Sequence, residues 1–347
     1  MRSLQPLIAP ISPVHALTRI AWLLERQRER SYRVEAFRKA SQAAAALDPG
    51  DLADRAASGT LTEIPSLGKT TAQVVVEALR GEVPGYLDRL QQMPESFPVG
   101  DSGELATALR GDLHSHTEWS DGGAPIEEMA CAATALGYEW LAITDHSPRL
   151  TVANGLSAER LVDQIEQIGR WNTQTHSLRL LTGIEVDILD DGSLDQSDEM
   201  LGRLDIVTAS VHSKLRMDHD AMTARLVGAA SNPRVTVLGH CTGRRVLSGR
   251  GHRPPSTFDA ATVFAACAEH NTAVEINSRP ERVDPPDDLI DLARESGCLF
   301  AIDSDAHAPG QLEFAILGAQ RAVAHGIDLD RIVTTWPVDR LLSWTSQ

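Results

Sequence analysis

The sequence predicts an α/β protein in which a barrel of parallel βα units follows a small all-α domain. Three observations predict it. Residues 14–93 carry apolar residues at helical spacing with no strand alternation, whereas from Gly111 short apolar runs alternate with helix-length segments. The charge divides near the same place: residues 1–100 hold 12 Lys+Arg against 11 Asp+Glu, and residues 101–347 hold 20 against 37. Finally, His, Asp and Glu recur just after the apolar runs of the second part.

A chain of 347 residues suits one large domain or two ordinary ones. With 42% hydrophobic and 23% charged residues it is not generally disordered. No apolar run approaches the roughly 20 residues needed to cross a bilayer. The opening MRSLQPLIAPISPVHAL, with one arginine and three prolines, makes a poor signal peptide. The four cysteines (131, 241, 267 and 298) form no CxxC, so neither a disulfide framework nor a thiolate zinc site is expected. The chain reads as cytoplasmic and reduced. Its net charge of −16 opposes nucleic-acid contact by the chain as a whole. An acidic domain that collects carboxylates for cations can nevertheless accompany a near-neutral module that meets an anionic partner.

In the first part the spacing predicts helices over Ile20–Arg30 and Arg33–Leu47, the second stopped by the turn Asp48-Pro49-Gly50. A short helix is expected around Leu52–Ala57. Then comes Ile64-Pro65-Ser66-Leu67-Gly68-Lys69-Thr70-Thr71-Ala72, with a helix running on to Leu79. A tight apolar turn that ends in glycine and enters a helix leaves N–H groups facing outward, a phosphate-binding geometry that needs no base contacts. The segment resembles a helix-hairpin-helix. More widely, residues 14–93 resemble the small N-terminal domain of family X DNA polymerases, through Tyr32-Arg33-Val34-Glu35-Ala36-Phe37-Arg38-Lys39-Ala40 and Leu61-Thr62-Glu63-Ile64-Pro65-Ser66-Leu67-Gly68-Lys69.

Two positions depart from that pattern. Ser66 stands where the hairpin usually has its first glycine, and Val74 where relatives with lyase activity carry lysine, which argues against Schiff-base chemistry. Contact with DNA or RNA is expected at Arg33, Arg38, Lys39, Gly68 and Lys69. The competing reading has Arg26, Arg28, Arg30, Arg33, Arg38 and Lys39 solvating helix faces, balanced by Glu25, Glu29 and Glu35. Pro84, Pro94, Pro98, Gly100 and Gly103 punctuate the stretch that follows, so the domains are set at 1–97 and 111–347 with a linker at 98–110. Polymerase fingers and palm have no room before residue 111.

In the second part, strands are expected at Gly111–Leu113, Trp140–Ile143, Leu178–Ile184, Ile206–Val211, Val235–Leu238, Thr272–Ile276 and Leu299–Ile302. Helices are expected at Ile126–Leu136, Ala158–Arg170, Ala221–Ala230, Thr257–Glu269 and Asp287–Ser296. Seven βα units in this length fit a barrel better than an open sheet. His114 and His116 share a face by the two-residue strand period, and Asp121 follows on the next loop. His146, Glu185, His212 and His240 close the next four strands, and Asp305 and His307 close the last. Imidazole and carboxylate without thiolate suit Zn²⁺, Mn²⁺ or Fe²⁺, and nine ligands exceed what one ion uses. Two or three ions sharing a bridging carboxylate are therefore expected.

Residues 111–347 also resemble the PHP (polymerase and histidinol phosphatase) domain, in the branch attached to bacterial family X polymerases. The segments that carry the resemblance are His114-Ser115-His116, Thr144-Asp145-His146, Gly183-Ile184-Glu185, Ser210-Val211-His212, Leu238-Gly239-His240-Cys241-Thr242-Gly243-Arg244, Glu275-Ile276-Asn277 and Asp303-Ser304-Asp305-Ala306-His307. Cys241 stands where relatives usually have proline. The resemblance implies a distorted (β/α)7 barrel, a trinuclear metal centre and phosphoesterase activity. Carried over by position, it places one ion on His114, His116, Glu185 and Asp305. Glu185 bridges to a second ion on His212 and His240, and Asp121, His146 and His307 hold the third.

Glu185 and Asp305 are the expected catalytic carboxylates, working with a hydroxide that bridges the first two ions. Lys214, Arg244, Arg250 and Arg279 are candidate phosphate ligands, and Glu275 is a candidate support for the metal ligands. The leading function is a phosphodiesterase or exonuclease acting on nucleic-acid 3′ ends, above all those of DNA in repair. A small-molecule phosphatase of the histidinol-phosphate kind is the runner-up. A non-catalytic DNA-binding scaffold is the third reading, and the complete ligand set counts against it.

Overall fold

The computed structural model describes residues 3–94, 100–174, 177–246 and 251–346. The chain separates into two compact units, Leu4–Pro98 and Val99–Gln347 with Met1–Ser3. The first is helical: α1 (Pro13–Arg26), α2 (Ser31–Ala45), α3 (Pro49–Ser58), α4 (Lys69–Leu79) and α5 (Gly85–Gln92). They bury one apolar core that includes Leu17, Ile20, Leu24, Phe37, Val75 and Leu87. α1 starts well before Ile20, because the Ser12 side chain accepts a hydrogen bond from the His15 N–H and Pro13 suits a first turn. Asp48-Pro49-Gly50 follows α2 and also begins α3, with the Asp48 side chain accepting from the Gly50 N–H. Between α3 and α4 the chain turns through residues 64–68. There Ser66 holds φ at 72°, a left-handed backbone that glycine adopts without strain.

The second unit alternates strands and helices. Its helices are α6 (Leu105–Ala108), α7 (Ile126–Ala135), α8 (Ala158–Asn172), α9 (Asp198–Leu201), α10 (His219–Ala230), α11 (Ala260–Glu269), α12 (Asp287–Glu295), α13 (Ala315–Ala324) and α14 (Val338–Thr345). Its strands are β1 (Trp140–Ile143), β2 (Arg179–Asp187), β3 (Ile206–Ser210), β4 (Val237–Leu238), β5 (Ala273–Asn277) and β6 (Phe300–Asp303). They pair in parallel and in chain order, giving a curled sheet filled by Leu113, Trp140, Leu181, Ile206, Val237 and Ala301.

Among the described residues the sheet therefore has six regular strands, and the expected strand at Gly111–Leu113 is not one of them. Residues 110–116 instead run as an irregular segment hydrogen-bonded on two sides. Towards β1, the N–H groups of Ala142 and Thr144 donate to the carbonyls of Asp112 and Ser115 at 2.9 Å. On the β6 side, much of the pairing passes through side chains: the Asp303 carboxylate accepts from Leu113 N–H at 2.9 Å, and Asp112 accepts from Ser304 N–H at 3.0 Å. Carboxylates have taken the place of ladder carbonyls, so no continuous ladder forms there. Gly111 allows the close approach, since a Cβ there would lie 2.4 Å from the Trp140 carbonyl oxygen. Among the described residues, no helix is long and apolar enough to cross a membrane.

Candidate metal centre

Each strand of the curled sheet delivers its polar residues near its C-terminal end, where the ladder stops and side chains can converge. Glu185, near the end of β2, is the middle of that convergence. Its Oε2 lies 2.9 Å from His146 Nδ1, 3.2 Å from His114 Nε2 and 3.5 Å from His116 Nε2. Its Oε1 lies 2.8 Å from His240 Nε2 and 3.2 Å from His212 Nε2. Five imidazoles thus surround one carboxylate that is 1% exposed.

Asp305 and Asp121 extend the cluster. Asp305 Oδ1 lies 3.6 Å from His116 Nε2 and 3.5 Å from His307 Nδ1. Asp121 Oδ1 lies 3.5 Å from His146 Nε2 and 3.4 Å from His307 Nε2. All nine residues singled out as metal ligands fall into groups with ligand atoms within 4.8 Å of one another. The groups are His116–Asp121–His146–His307, His114–Glu185–His240, His114–His116–Asp305 and His146–Glu185–His212.

The chemistry of the set fits divalent cations. His114 Nε2, both ring nitrogens of His116, His146 Nδ1, His212 Nε2 and His240 Nδ1 are buried and make no hydrogen bond among the described residues. Most of these nitrogens sit close to a carboxylate oxygen without the alignment a hydrogen bond needs, as lone pairs directed at a shared ion would. Electrostatics favour the same reading. Burial, with His307 and His146 alongside, holds the His116 imidazole well below its ordinary pKa and so keeps it neutral. Burial resists ionisation of Glu185, but His114, His212 and His146 outweigh it and hold the carboxyl well below its ordinary range. Asp305 behaves likewise: burial opposes its charge, and Arg282, His114 and Arg279 overcome it.

Supporting groups fix the rings. Glu275 lies 2.5 Å from His114 Nδ1 and also accepts from the His240 backbone N–H. Asp187 lies 3.0 Å from His212 Nδ1. Each carboxylate occupies one ring nitrogen and leaves the other for the centre.

Two comparisons fix the family. The PHP domain profile matches residues 112–279. Over 243 residues the chain is 30% identical to a protein of Thermoanaerobacter sp. (strain X514) named a probable phosphatase, covering 65% of this chain and 89% of that protein. The chain belongs to the PHP-domain family. Its class of chemistry is that of a metal-dependent phosphoesterase.

Another PHP relative is the Bacillus subtilis (strain 168) DNA polymerase/3′-5′ exonuclease PolX, 41% identical over 250 residues. That match covers 72% of this chain, which spans only 42% of the PolX length. A solved histidinol phosphate phosphatase from Lactococcus lactis matches 63% of this chain and 95% of its own at 17% identity, with a TM-score of 0.46.

The basic residues of the PHP unit are placed unequally. Arg279 reaches the centre, with Nη1 at 2.7 Å from His307 Nδ1 and 2.9 Å from the Asp305 carbonyl oxygen. Lys214 pairs with Asp190 at the exposed surface. Arg244 donates to the carbonyls of Arg282 and Val283, and so holds the chain after β5. Arg250 lies outside the described residues.

Sequence reasoning missed Arg282, whose Nε donates to Asp305 Oδ2 at 2.8 Å and whose terminal nitrogens make no hydrogen bond among the described residues. It also missed Asp187. Strand period two would have found Asp187, two residues past Glu185, whereas no spacing marks Arg282, which acts through a contact with Asp305.

In the helical unit, Arg33 pairs with Glu29 at 2.9 Å and donates to the Tyr86 hydroxyl at 2.9 Å. Arg38 pairs with Glu25, and Lys39 with Glu35 at 2.6 Å. The Gly68 N–H donates to Thr71 Oγ1 at 2.9 Å. Lys69 lines a cavity of about 340 Å³ with Tyr86 and Arg89.

Proposed function

We propose that this chain is a metal-dependent phosphodiesterase that removes nucleotides or blocking groups from nucleic-acid 3′ ends. The observation that carries the reading is Glu185, shared by five imidazoles and buried with them. In this reading His114, His116, Glu185 and Asp305 hold one ion, Glu185, His212 and His240 a second, and Asp121, His146 and His307 a third. Residues 110–116 count as the seventh stave of a distorted (β/α)7 barrel. Bound divalent ions supply Lewis acidity to a phosphoryl oxygen and make water acidic enough to ionise near neutral pH.

The chain's own groups do the rest. Arg282, anchored through Nε on Asp305, keeps its terminal nitrogens free to bind phosphoryl oxygens in a fork, and Arg279 stands beside it. Glu275 and Asp187 hold His114 and His212 in fixed orientation. The helix-hairpin-helix reading of α3, residues 59–68 and α4 gives this activity a module that meets phosphate. There Lys69 is the basic residue with no ion pair among the described residues. The polarity rests on the likeness to PolX, whose name carries a 3′-5′ exonuclease.

A second reading, a small-molecule phosphatase, draws on the relatives named probable phosphatases, of which this chain covers 77–89%. One panel with Mn²⁺ separates them: a 3′-recessed DNA duplex, single-stranded DNA, RNA and histidinol phosphate. Hydrolysis of a DNA 3′ end at the highest kcat/KM is expected. A higher kcat/KM on histidinol phosphate than on any oligonucleotide would overturn the nucleic-acid reading.

A further inference from the structure

On the reading that the substrate is a nucleic-acid 3′ end, we propose that a cavity beside the centre receives the terminal nucleobase. Trp119 is its stacking wall and Glu118 the acceptor for the base's N–H donors. The cavity holds about 400 Å³ and is lined by Glu118, Trp119, Ile126, Glu127, Arg160 and Gln167, among others. That volume is within the range of small-molecule sites, roughly 300–1,000 Å³. It is also next to the chemistry: Trp119 lies three residues after His116 and two before Asp121, so chain geometry keeps it within about 11 Å of both Cα atoms.

The wall is rigid before any ligand arrives. Asp145, itself buried, accepts from the N–H groups of Thr117 at 2.8 Å and Ser120 at 3.2 Å. The Trp119 carbonyl accepts from Asn154 Nδ2 at 3.2 Å and from Arg160. Its indole Nε1 donates to Gln167 Oε1 at 3.2 Å, and Gln167 in turn donates to Glu127 at 2.9 Å. A fixed aromatic plane binds a planar partner with little ordering loss.

The polar groups select the partner's class. The Glu118 carboxylate has no hydrogen bond or ion pair among the described residues, and a carboxylate only accepts. Glu118 and Glu127 together disfavour a second phosphate. A protonated amine is disfavoured too, because the Arg160 guanidinium already lies 5.9 Å from the Trp119 ring centroid. A neutral ring carrying N–H donors meets neither objection. Guanine presents two adjacent N–H donors to the two carboxylate oxygens, whereas thymine presents one, so guanine ends are favoured.

The test uses the metal-loaded full-length protein, Trp119→Ala and Glu118→Gln. Hydrolysis is compared on oligonucleotides ending in guanosine, thymidine or an abasic deoxyribose. Saturation-transfer NMR with free guanosine, which has no phosphate, reads the cavity independently of cleavage. Expected are a preference for guanosine over thymidine over abasic ends and a guanosine signal that Trp119→Ala removes. That substitution should shrink the ratio of guanosine-ended to abasic kcat/KM roughly tenfold. Glu118→Gln, an exposed change that leaves the fold intact, should remove the preference for guanosine over thymidine.

Equal rates on all three ends with no guanosine signal would overturn the proposal. So would tighter binding of an aminoalkyl phosphate that Glu118→Gln abolishes, since the cavity would then belong to a cation. A guanosine signal lost in Trp119→Ala, without cleavage of any oligonucleotide, would uphold the cavity and overturn the nuclease reading alone.

Discussion

In the helical unit, Arg33 and Lys39 lie beside Glu29 and Glu35 at 2.9 and 2.6 Å, with side chains 41% and 58% exposed. In the α/β unit, His114 and His116 are fully buried around Glu185, and their Nε2 atoms lack a hydrogen bond among the described residues. The first arrangement is complete without a partner. Exposed helical pairs of this kind contribute little, because water screens them and solvates whatever they leave unsatisfied. The second gathers ring nitrogens that the protein's own described groups do not satisfy. Buried polar atoms without partners are destabilising by about 1–3 kcal/mol each, so a site that gathers several of them needs a cation to be tolerable. Paired charge at a surface says little about function, whereas unsatisfied polar atoms in a core say much.

The comparison breaks first at the metals. Gently purified protein is expected to contain two or three transition-metal ions per chain, and Glu185→Gln to lose more than one of them. His114→Ala and Asp305→Ala should lower kcat/KM by at least about 10³-fold, the scale of losing a metal-held transition-state contact. Elemental analysis with steady-state kinetics checks both. Recovery of a single ion unaffected by Glu185→Gln would sink the shared-carboxylate model. Equal activity of wild type and His114→Ala would mean that the nuclease came from a contaminant.

A smaller effect sharpens the other side. Lys69→Ala should weaken nucleic-acid binding several-fold for every sequence alike and reduce the salt slope by about one phosphate contact. Arg33→Ala and Lys39→Ala, whose charges already have glutamate partners, should change it less than about twofold. Fluorescence anisotropy over a salt series reads all three. Equal losses from the three substitutions would erase the distinction between paired and unpaired basic residues.

Much of this contrast was legible in the sequence. The period-two spacing of His114 and His116, and the repeated placement of His or Glu after an apolar run, pointed to residues whose ligand atoms the structure gathers within 4.8 Å of one another. Strands β1 to β6 each overlap the run that announced them. The first expected strand was not legible as irregular, because nothing local says that Asp303, far along the chain, takes the N–H of Leu113. Arg282 was hidden for a related reason. Its meaning depends on contact with Asp305 across the sheet rather than on any spacing. Pairing of Arg33, Arg38 and Lys39 with glutamates was open to reading from i,i+4 spacing for two of them, but the third, Arg38 with Glu25, joins different helices.

The smallest expected effect concerns Ser66. Its φ of 72° places an L side chain in the left-handed region, which disfavours it relative to glycine by roughly 1 kcal/mol. Ser66→Gly should therefore stabilise the helical unit by about 0.5–1 kcal/mol, read as a higher urea midpoint for that unit's transition. A lower midpoint would show that the serine side chain, not the backbone, holds the turn.

The carboxylates at the edge of β6 have a further consequence. Burial pushes the Asp112 carboxyl up to about 6, and burial with Asp112 and Glu275 pushes Asp303 well above its ordinary range. The seam between residues 110–116 and β6 thus relies on two reluctant anions and one backbone bridge, Ser115 with Ala306, where neighbouring seams hang on amide ladders. His114 and His116 stand on one side of it, Asp305 and His307 on the other. An ion held by His114, His116 and Asp305 would rivet this seam, so the element that performs the chemistry would also be the clasp that joins residues 110–116 to the edge of β6. Loss of metal would then release a zipper from its weakest tooth rather than merely switch off a reaction.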